Sequence, residues 1–401
     1  MRKIFFAFSA GIGPLIRCLP IANELRKRGN ETSFYAIDKA SDIMTKNHHI
    51  KLDLEAIKPP KDELLVEKNS TYPTLSVYYS FLGYQDSEFV GRKIEAWLHM
   101  IRSYRPHVIV SDCCLEASIV SKITKTPLLF INQSVFQADN RIRFWEENFA
   151  ENEVVIANIN KLFRQYQVPQ INRVEELFQG DINIYPSIPE LDPSDGQDII
   201  YTGPIIWDGY NRDLNYEKRQ QRQSSDQKIV TVYTGRMSDL GGGNSGIIIF
   251  RMLMKVFRNF DCLVRLTTGG LDDIPIRDLQ DVPSNVQIYN WIPVLDLYQD
   301  TDLIIHHGGH ASCLSSLIYG TPTLVMPTHS EREYNARKLS ELGVSEFIDP
   351  RTCTYPELLA KLQMMLENAN YTSAAKKISE ALRQREYKKE ILAADLIESL
   401  L

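Results

Sequence analysis

The feature that most constrains this chain is an alternation of short apolar runs with amphipathic helical runs, found once in each half. Ile4–Phe8 reads as a strand, and Leu15–Arg28 carries Leu15, Leu19, Ala22 and Leu25 on one helical face. Gly29 stops that helix, and Thr32–Ala36 reads as the next strand. Strands follow at Val108–Ser111 and Leu128–Asn132, with a helix at Leu115–Thr124 between them. Strands joined through helices run parallel, and strands apolar on both faces lie in sheets covered on both sides. A second series opens at Ile229–Tyr233. It continues through the glycines Gly241, Gly242 and Gly243, a helix at Gly246–Asn259, and strands at Cys262–Thr267, Val286–Tyr289, Leu303–His306 and Thr323–Met326. Helical runs cover Glu331–Leu342, Tyr355–Asn368 and Glu386–Leu400, whereas Asp53–Tyr84 shows neither period and reads as a long loop.

Pro186, Pro189 and Pro193, then Thr202-Gly203-Pro204 and the polar run Asn211–Gln227, mark a junction between the halves. The expected fold is therefore α/β, with two Rossmann-like parallel-sheet domains facing across a cleft. Residues 1–204 form the first, 205–228 a linker and 229–385 the second. Open α/β sheets bind ligands beyond the C-terminal ends of their strands, so the cleft suits two substrates, one per half.

Charge and composition remove other classes. The chain has 401 residues, and 45 Lys and Arg against 51 Asp and Glu give a net charge of −6, which argues against a nucleic-acid partner. The charged run Lys218–Arg222 reads as solvated linker. No stretch approaches the ~20 apolar residues of a membrane span. Met1-Arg2-Lys3 and Ile4–Ala10 have the outline of a signal peptide, but Gly11, Gly13, Pro14 and Arg17 interrupt it and no small-residue cleavage site follows. Cys18, Cys113, Cys114, Cys262, Cys313 and Cys353 include no CxxC pair and read as reduced thiols, so a cytoplasmic location is expected.

The densest chemistry lies between Trp291 and Ala336. A strand ends at His306-His307, Gly308 and Gly309 allow a tight turn after it, and a helix begins near Ala311–Ser312. Free backbone N–H groups at a helix start attract anions, so the expected ligand is a phosphate or diphosphate. A zinc site built from His306, His307 and His310 is the rival reading. It is weakened because adjacent strand residues face opposite ways, and a purely structural role for the histidines is a third.

This segment resembles the nucleotide-sugar signature of the UDP-glycosyltransferase-like superfamily with the GT-B fold. The family order is Trp-x-Pro, His-x-Gly-x-x-Ser, Gly-x-Pro, Pro, an acidic residue and Asn-Ala. The chain supplies Trp291, Pro293, His307, Gly309, Ser312, Gly320, Pro322, Pro327, Glu331, Asn335 and Ala336. The likeness extends to the first glycine loop, to Pro106–Asp112 and to Gly203-Pro204. It implies that His307, Ser312 and the backbone of Gly308 and Gly309 contact a donor diphosphate. Trp291 would stack on the nucleobase and Glu331 would hold sugar hydroxyls. It also implies that the last helix, 386–401, packs back on the first domain. Core packing for Trp291 and a solvated helix start for Glu331 remain the plainer alternatives. Thr234 and Arg236, after the strand Ile229–Tyr233, are further candidates for the donor side.

The chain departs from the family pattern at several points. Ser315 stands where an acidic residue usually grips the ribose, and Glu331-Arg332 replaces an acidic-Gln pair. Arg332 either faces the sugar and phosphates or points to solvent. The first loop reads Gly11-Ile12-Gly13-Pro14 where many relatives carry a Gly-x-Gly-His arrangement whose histidine deprotonates the acceptor. Asp112 is then the candidate base, its alternative being an N-cap for the following helix. Gly13, Arg17 and Ser134 are placed on the acceptor side, with a surface salt bridge as the alternative for Arg17.

The expected activity is transfer of a sugar from a UDP- or TDP-sugar to a small-molecule acceptor, an apolar one where aromatics line its site, with inversion, without a metal and with no prosthetic group. Tyr72, Tyr78, Tyr79, Phe81, Phe144 and Trp145 are candidate acceptor-site aromatics or ordinary core. A homodimer is possible on this reading. The alternatives are a non-catalytic glycosyltransferase-like partner protein, motivated by Pro14 and Ser315, and a sugar-nucleotide epimerase. A nicotinamide oxidoreductase is remote, because Ile16 stands where the dinucleotide fingerprint needs glycine.

Overall fold

The computed structural model describes residues 1–8, 12–35, 49–50, 74–137, 151–194, 198–206, 227–235, 245–267, 274, 276–289, 297–298 and 300–401. Lys3–Phe8 (β1), Ile12–Lys27 (α1), Glu31–Tyr35 (β2) and His49–Ile50 (β3) open the first unit. Leu75–Tyr79 (α2), Ser87–Tyr104 (α3), Val108–Asp112 (β4), Leu115–Thr124 (α4) and Leu128–Ile131 (β5) follow, then Glu153–Gln165 (α5), Ile182–Tyr185 (β6) and Ile199–Tyr201 (β7). The seven strands form one parallel sheet in the order β3-β2-β1-β4-β5-β6-β7. Alternation along β1 sends Ile4, Phe6 and Phe8 to one face, with α1, and Phe5 and Ala7 to the other, with α3 and α4. That two-sided burial is why the strand sequence is apolar throughout.

The second unit runs through Ile229–Tyr233 (β8), Ser245–Phe257 (α6), Leu263–Thr267 (β9), Ile276–Leu279 (α7), Val286–Tyr289 (β10), Leu303–His306 (β11) and His310–Tyr319 (α8). It continues with Thr323–Val325 (β12), Ser330–Glu341 (α9), Ser345–Phe347 (β13), Tyr355–Glu367 (α10), Ala369–Gln384 (α11) and Lys389–Ser399 (α12). Its six strands are parallel in the order β10-β9-β8-β11-β12-β13. In both sheets the order reverses direction at the first strand of the unit, β1 or β8. Such a switch point is where α/β sheets open a ligand crevice.

The last helix, α12, lies on the first unit. Ala393, Ala394 and Ile397 share an apolar cluster with Leu15, Leu19 and Leu25 of α1. Arg28 pairs with Asp395 at 2.6 Å and Glu398 at 2.9 Å. At the first residue of α12, the Lys389 N–H donates to the Thr202 carbonyl at 2.9 Å. A further apolar cluster joins Ile188 and Leu191, from the segment between β6 and β7, to Cys313, Leu314 and Leu317 of α8.

The periodic reading differs from the structure in places. The end of the expected loop is helical: α2 runs into a π-helical turn at Ser80–Tyr84, and Leu75, Tyr79 and Tyr84 are buried. Thr74 caps α2 by accepting the Val77 N–H. Tyr79 is therefore core, edge-on to Tyr84 with ring centroids 5.1 Å apart. Residues 51–73 and 138–150, which hold Tyr72, Phe144 and Trp145, and 207–226, which hold most of the expected linker, lie outside the described residues. Among the described residues, no helix is long and apolar enough to cross a membrane.

Candidate active site

The switch point of the second sheet is a glycine turn built around His307. β11 ends at His306, paired in register with Tyr233 of β8, and the chain turns through His307, Gly308 and Gly309 into α8. Gly308 has φ +92°, and a Cβ there would lie 2.7 Å from the Arg332 carbonyl oxygen, so only glycine fits. The signature asparagine explains itself: the Asn335 side chain donates to the Gly308 carbonyl at 3.0 Å and fixes the turn. His307 is enclosed by backbone. Cβ atoms added at Gly235 and Gly309 would lie 2.9 Å and 2.7 Å from its ring, and Tyr233 packs edge-on with centroids 5.3 Å apart.

Burial, with Arg332 and His306 nearby, pushes the His307 imidazole well below the usual histidine range. Burial alone pushes His306 down to about 3, and burial with Arg332 and His307 does the same to His329. His307 is therefore a neutral imidazole with one N–H to donate. His306 faces the other way, its Nδ1 accepting the Gly308 N–H at 3.0 Å. His310 turns to Asp192, with Nε2 and Oδ2 2.6 Å apart. The three rings thus have separate work, and no cluster of three or more His, Cys, Asp or Glu among the described residues is arranged to hold a metal ion.

α8 starts at His310 with Gly309 as its N-cap and no side-chain cap, so the His310 and Ala311 N–H groups have no intrahelical partner, while the Ser312 N–H donates to the Gly309 carbonyl at 3.0 Å. Ser312 stands in that first turn. Thr234 is buried at the end of β8, next to the Gly235 that faces the His307 ring, and its hydroxyl donates to the Gly235 carbonyl at 3.1 Å. Ser315 and Ser316 bond helix carbonyls of Ala311 and Cys313, at 2.8 and 2.7 Å. Arg332 is buried rather than solvated, with Nη1 donating to Thr328 Oγ1 at 2.6 Å. Trp291, Pro293, Arg236 and Gly241 to Gly243 lie outside the described residues.

The first domain meets this turn at the ends of β1 and β4. Phe8 and Asp112 are register partners, and α1 begins four residues after Phe8. Gly13 and Pro14 lie in its first turn, where proline costs no helical hydrogen bond. Arg17, one turn on, is buried and grips Asp112 with two nitrogens: Nε to Oδ2 at 2.8 Å and Nη2 to Oδ1 at 2.7 Å. Burial would lower the Arg17 pKa, but the Asp112 charge and hydrogen bonds outweigh it and raise it.

Two expectations for these residues are corrected. Arg17 is not a surface salt bridge. Asp112 is not the cap of α4, whose N-cap is Cys114, and it is not an open base, since it has no exposed surface and both its oxygens are taken. Cys113 between them has φ +52°, a strained conformation for a side chain, braced by the Ser111 hydroxyl on both backbone groups of Cys114 at 3.2 and 3.3 Å.

Glu331, in the first turn of α9, completes the arrangement from the second domain. Burial pushes its carboxyl up against the opposing pull of Arg332, His310 and Arg17, and it acts in turn on Cys113. The Arg17–Asp112 pair, Cys113, His310 and Glu331 therefore share one electrostatic neighbourhood spanning both domains. Ser134, expected on the acceptor side, bonds across the domains: its Oγ lies 3.2 Å from Asp192 Oδ1 and 2.9 Å from the Tyr334 hydroxyl. Sequence reasoning missed Asp192 and Tyr334, because nothing local in Pro189–Pro193 or in α9 marks a contact that the fold creates.

The family model for the erythromycin biosynthesis protein CIII-like C-terminal domain matches residues 253–398. A Methanosarcina mazei protein described as an uncharacterized glycosyltransferase is 23% identical over 388 residues, covering 94% of this chain and 93% of its own. The kitacinnamycin glycotransferase superposes with a TM-score of 0.73 at 20% identity, covering 100% of this chain and 99% of that one. The spinosyn rhamnosyltransferase SpnG, solved with thymidine diphosphate, gives 0.69 at 14% identity, with 99% and 100% covered. The structural likeness is one of fold, GT-B. Signature, family model and fold agree: in its C-terminal part the chain is similar to the erythromycin biosynthesis protein CIII-like family, over nearly its whole length it is similar to proteins described as glycosyltransferases, and its fold is GT-B.

Proposed function

We propose that this glycosyltransferase moves a sugar from a nucleoside diphosphate sugar to a small-molecule acceptor, with inversion at the anomeric carbon. The observation that carries the reading is the uncapped start of α8 beside a neutral, backbone-enclosed His307. As the sugar leaves, negative charge grows on the diphosphate. Fixed donors aimed at developing charge are the strongest electrostatic form of catalysis. His307, Ser312 and the amides that follow Gly308 and Gly309 supply such donors, and the leaving group is assigned to them rather than to a metal ion. Thr234 and Arg236 are assigned to the same side, and Trp291 to the nucleobase.

Glu331 accepts hydrogen bonds from sugar hydroxyls, which favours its charged form and offsets the cost of its burial. Arg332 acts from beneath the turn, holding its backbone against Gly308. On the acceptor side, Gly13 keeps the mouth of α1 open: among the described residues beyond its own helix and chain neighbours, no atom lies within 4 Å of where its Cβ would be. Asp112 acts through Arg17, keeping a cation in place opposite Glu331. Thymidine diphosphate and the aglycone bound by SpnG support a nucleotide donor and a small acceptor as substrate classes.

The test is thermal-shift binding of UDP, TDP and GDP to the wild type and to His307→Ala. A nucleotide at 100 times its dissociation constant stabilises by about 2.7 kcal/mol. A shift with one nucleotide that disappears in the variant is the expected result. No shift with any of the three would sink the donor reading.

A further inference from the structure

His310 belongs to both domains at once. Its backbone is the first helical residue of α8, so its own N–H is among those left without an intrahelical partner. Its side chain leaves that site and meets the first domain. Nε2 lies 2.6 Å from Asp192 Oδ2, and both residues are buried, His310 at 3% and Asp192 at 0% exposure. Asp192 stands in the segment between β6 and β7, at the end of the first sheet. Its other oxygen, Oδ1, accepts the Ser134 N–H at 2.9 Å and faces the Ser134 hydroxyl at 3.2 Å. The same hydroxyl lies 2.9 Å from Tyr334 of α9. Burial would raise the Asp192 pKa, but His310 and the Ser134 N–H outweigh it and hold the carboxyl below its usual range. An ionised carboxylate only accepts, so Nε2 carries the hydrogen. Among the described residues the ring's second nitrogen, Nδ1, is buried with no partner, and Asp192 is the ring's one hydrogen-bonded anchor.

We propose that Asp192 and His310 form a positioning pair that pins the diphosphate-facing start of α8 to the first domain, so that domain closure and placement of the leaving-group donors are one event. The inference rests on the donor assignment made above. A hydrogen-bonded buried pair has one good geometry, and losing either partner leaves the other polar group stranded. The domains are then held in register at the point where a sugar would pass between them. A misplacement of ~1 Å there costs up to about 10²-fold in rate.

The experiment compares full-length wild type, His310→Gln, His310→Ala, Asp192→Ala and the double alanine variant. Glutamine keeps an N–H donor at the Nε2 position, while alanine removes it. Small-angle scattering reads domain closure without ligand, and calorimetry reads the affinity for TDP and UDP. Both alanine variants are expected to have a larger radius of gyration than the wild type, the double variant no larger than either, and His310→Gln the wild-type value. Nucleotide dissociation constants should stay within about threefold throughout, since the phosphate donors remain on the second domain. Wild-type scattering in His310→Ala overturns the pin. A collapse of nucleotide affinity in His310→Gln also overturns it, by making the ring itself a phosphate ligand. If the wild type binds neither nucleotide, the donor reading fails, and expansion of the alanine variants still supports the pin.

Discussion

Arg17 and Asp112 meet in two parallel hydrogen bonds, 2.8 and 2.7 Å long, across 95 residues of chain. Both side chains are buried, Arg17 at 5% and Asp112 at 0% exposure. The pair ties the first turns of α1 to the end of β4, where the first sheet faces Glu331 of the second domain. Replacing Arg17 by Met leaves a buried, uncompensated carboxylate and should cost about 3–5 kcal/mol. Asp112→Leu should cost a similar amount. The double variant Arg17→Met/Asp112→Leu should cost less than the sum, since it buries no lone charge. Urea unfolding of the four proteins measures the coupling, and additive losses would mean that the pair is not the unit described here.

Gly308 is held by its left-handed φ and by the Arg332 carbonyl 2.7 Å from where a Cβ would stand. Gly308→Ala should therefore destabilise by more than about 1 kcal/mol. Gly309→Ala acts differently, pressing on His307 Nε2 at 2.7 Å. It should weaken UDP or TDP binding more than it lowers the melting temperature. Calorimetric unfolding and nucleotide titration of both variants separate the two effects, and equal losses of binding and stability in both would contradict the distinction.

Glu331 carries a sign that can be checked against pH. Its folded carboxyl is raised above the usual 4.5 by burial. A raised carboxyl binds more protons folded than unfolded, so its contribution to stability falls as pH rises from the unfolded value through the folded one. Above that window the wild type should be less stable than Glu331→Gln, and below pH 4.5 this difference should vanish. Melting temperatures of both proteins from pH 4 to 8 give the answer. A Glu331→Gln protein less stable than the wild type at pH 8 would show that the carboxylate is compensated in the folded state.

The glycine turn after β11 was legible in the sequence because a tight turn writes itself locally. Gly308, Gly309, Asn335 and Glu331 sit within one strand–helix–strand–helix run, and each has a contact partner inside that run or one strand away. The parallel sheets were legible for a similar reason, since a strand buried on both faces leaves few polar positions. Ser87–Tyr104, unassigned by the periodic reading, still carries Phe89, Val90, Ile94, Trp97, Leu98 and Ile101 on its buried side, at helical spacing. The contacts that join the domains left no such trace. Asp192 reads as one more residue in a proline-rich turn, and only the folded chain places it against His310 and Ser134. Asp112 misled for the same reason. Its partner Arg17 was known as a residue but not as a neighbour, and a carboxylate's role follows from what holds it.

Three buried histidines set the acid limit of the fold. His306, His307 and His329 are all pushed below the ordinary histidine value, chiefly by burial. In the unfolded chain each takes a proton near pH 6.5, while the folded protein refuses it. The unfolded state therefore binds more protons, and stability is lost as pH falls through 6.5. At pH 5 His306, lowered to about 3 in the folded protein, should cost about 2 kcal/mol relative to pH 8, and His307 and His329 act in the same direction. His329→Gln should remove one share of that loss, making stability fall less steeply with acid while leaving His307 in its glycine enclosure. Unfolding free energies from pH 5 to 8, for wild type and His329→Gln, measure the two slopes. Equal slopes would mean that His329 takes up a proton as readily folded as unfolded, and that the pocket around the His307 turn admits charge.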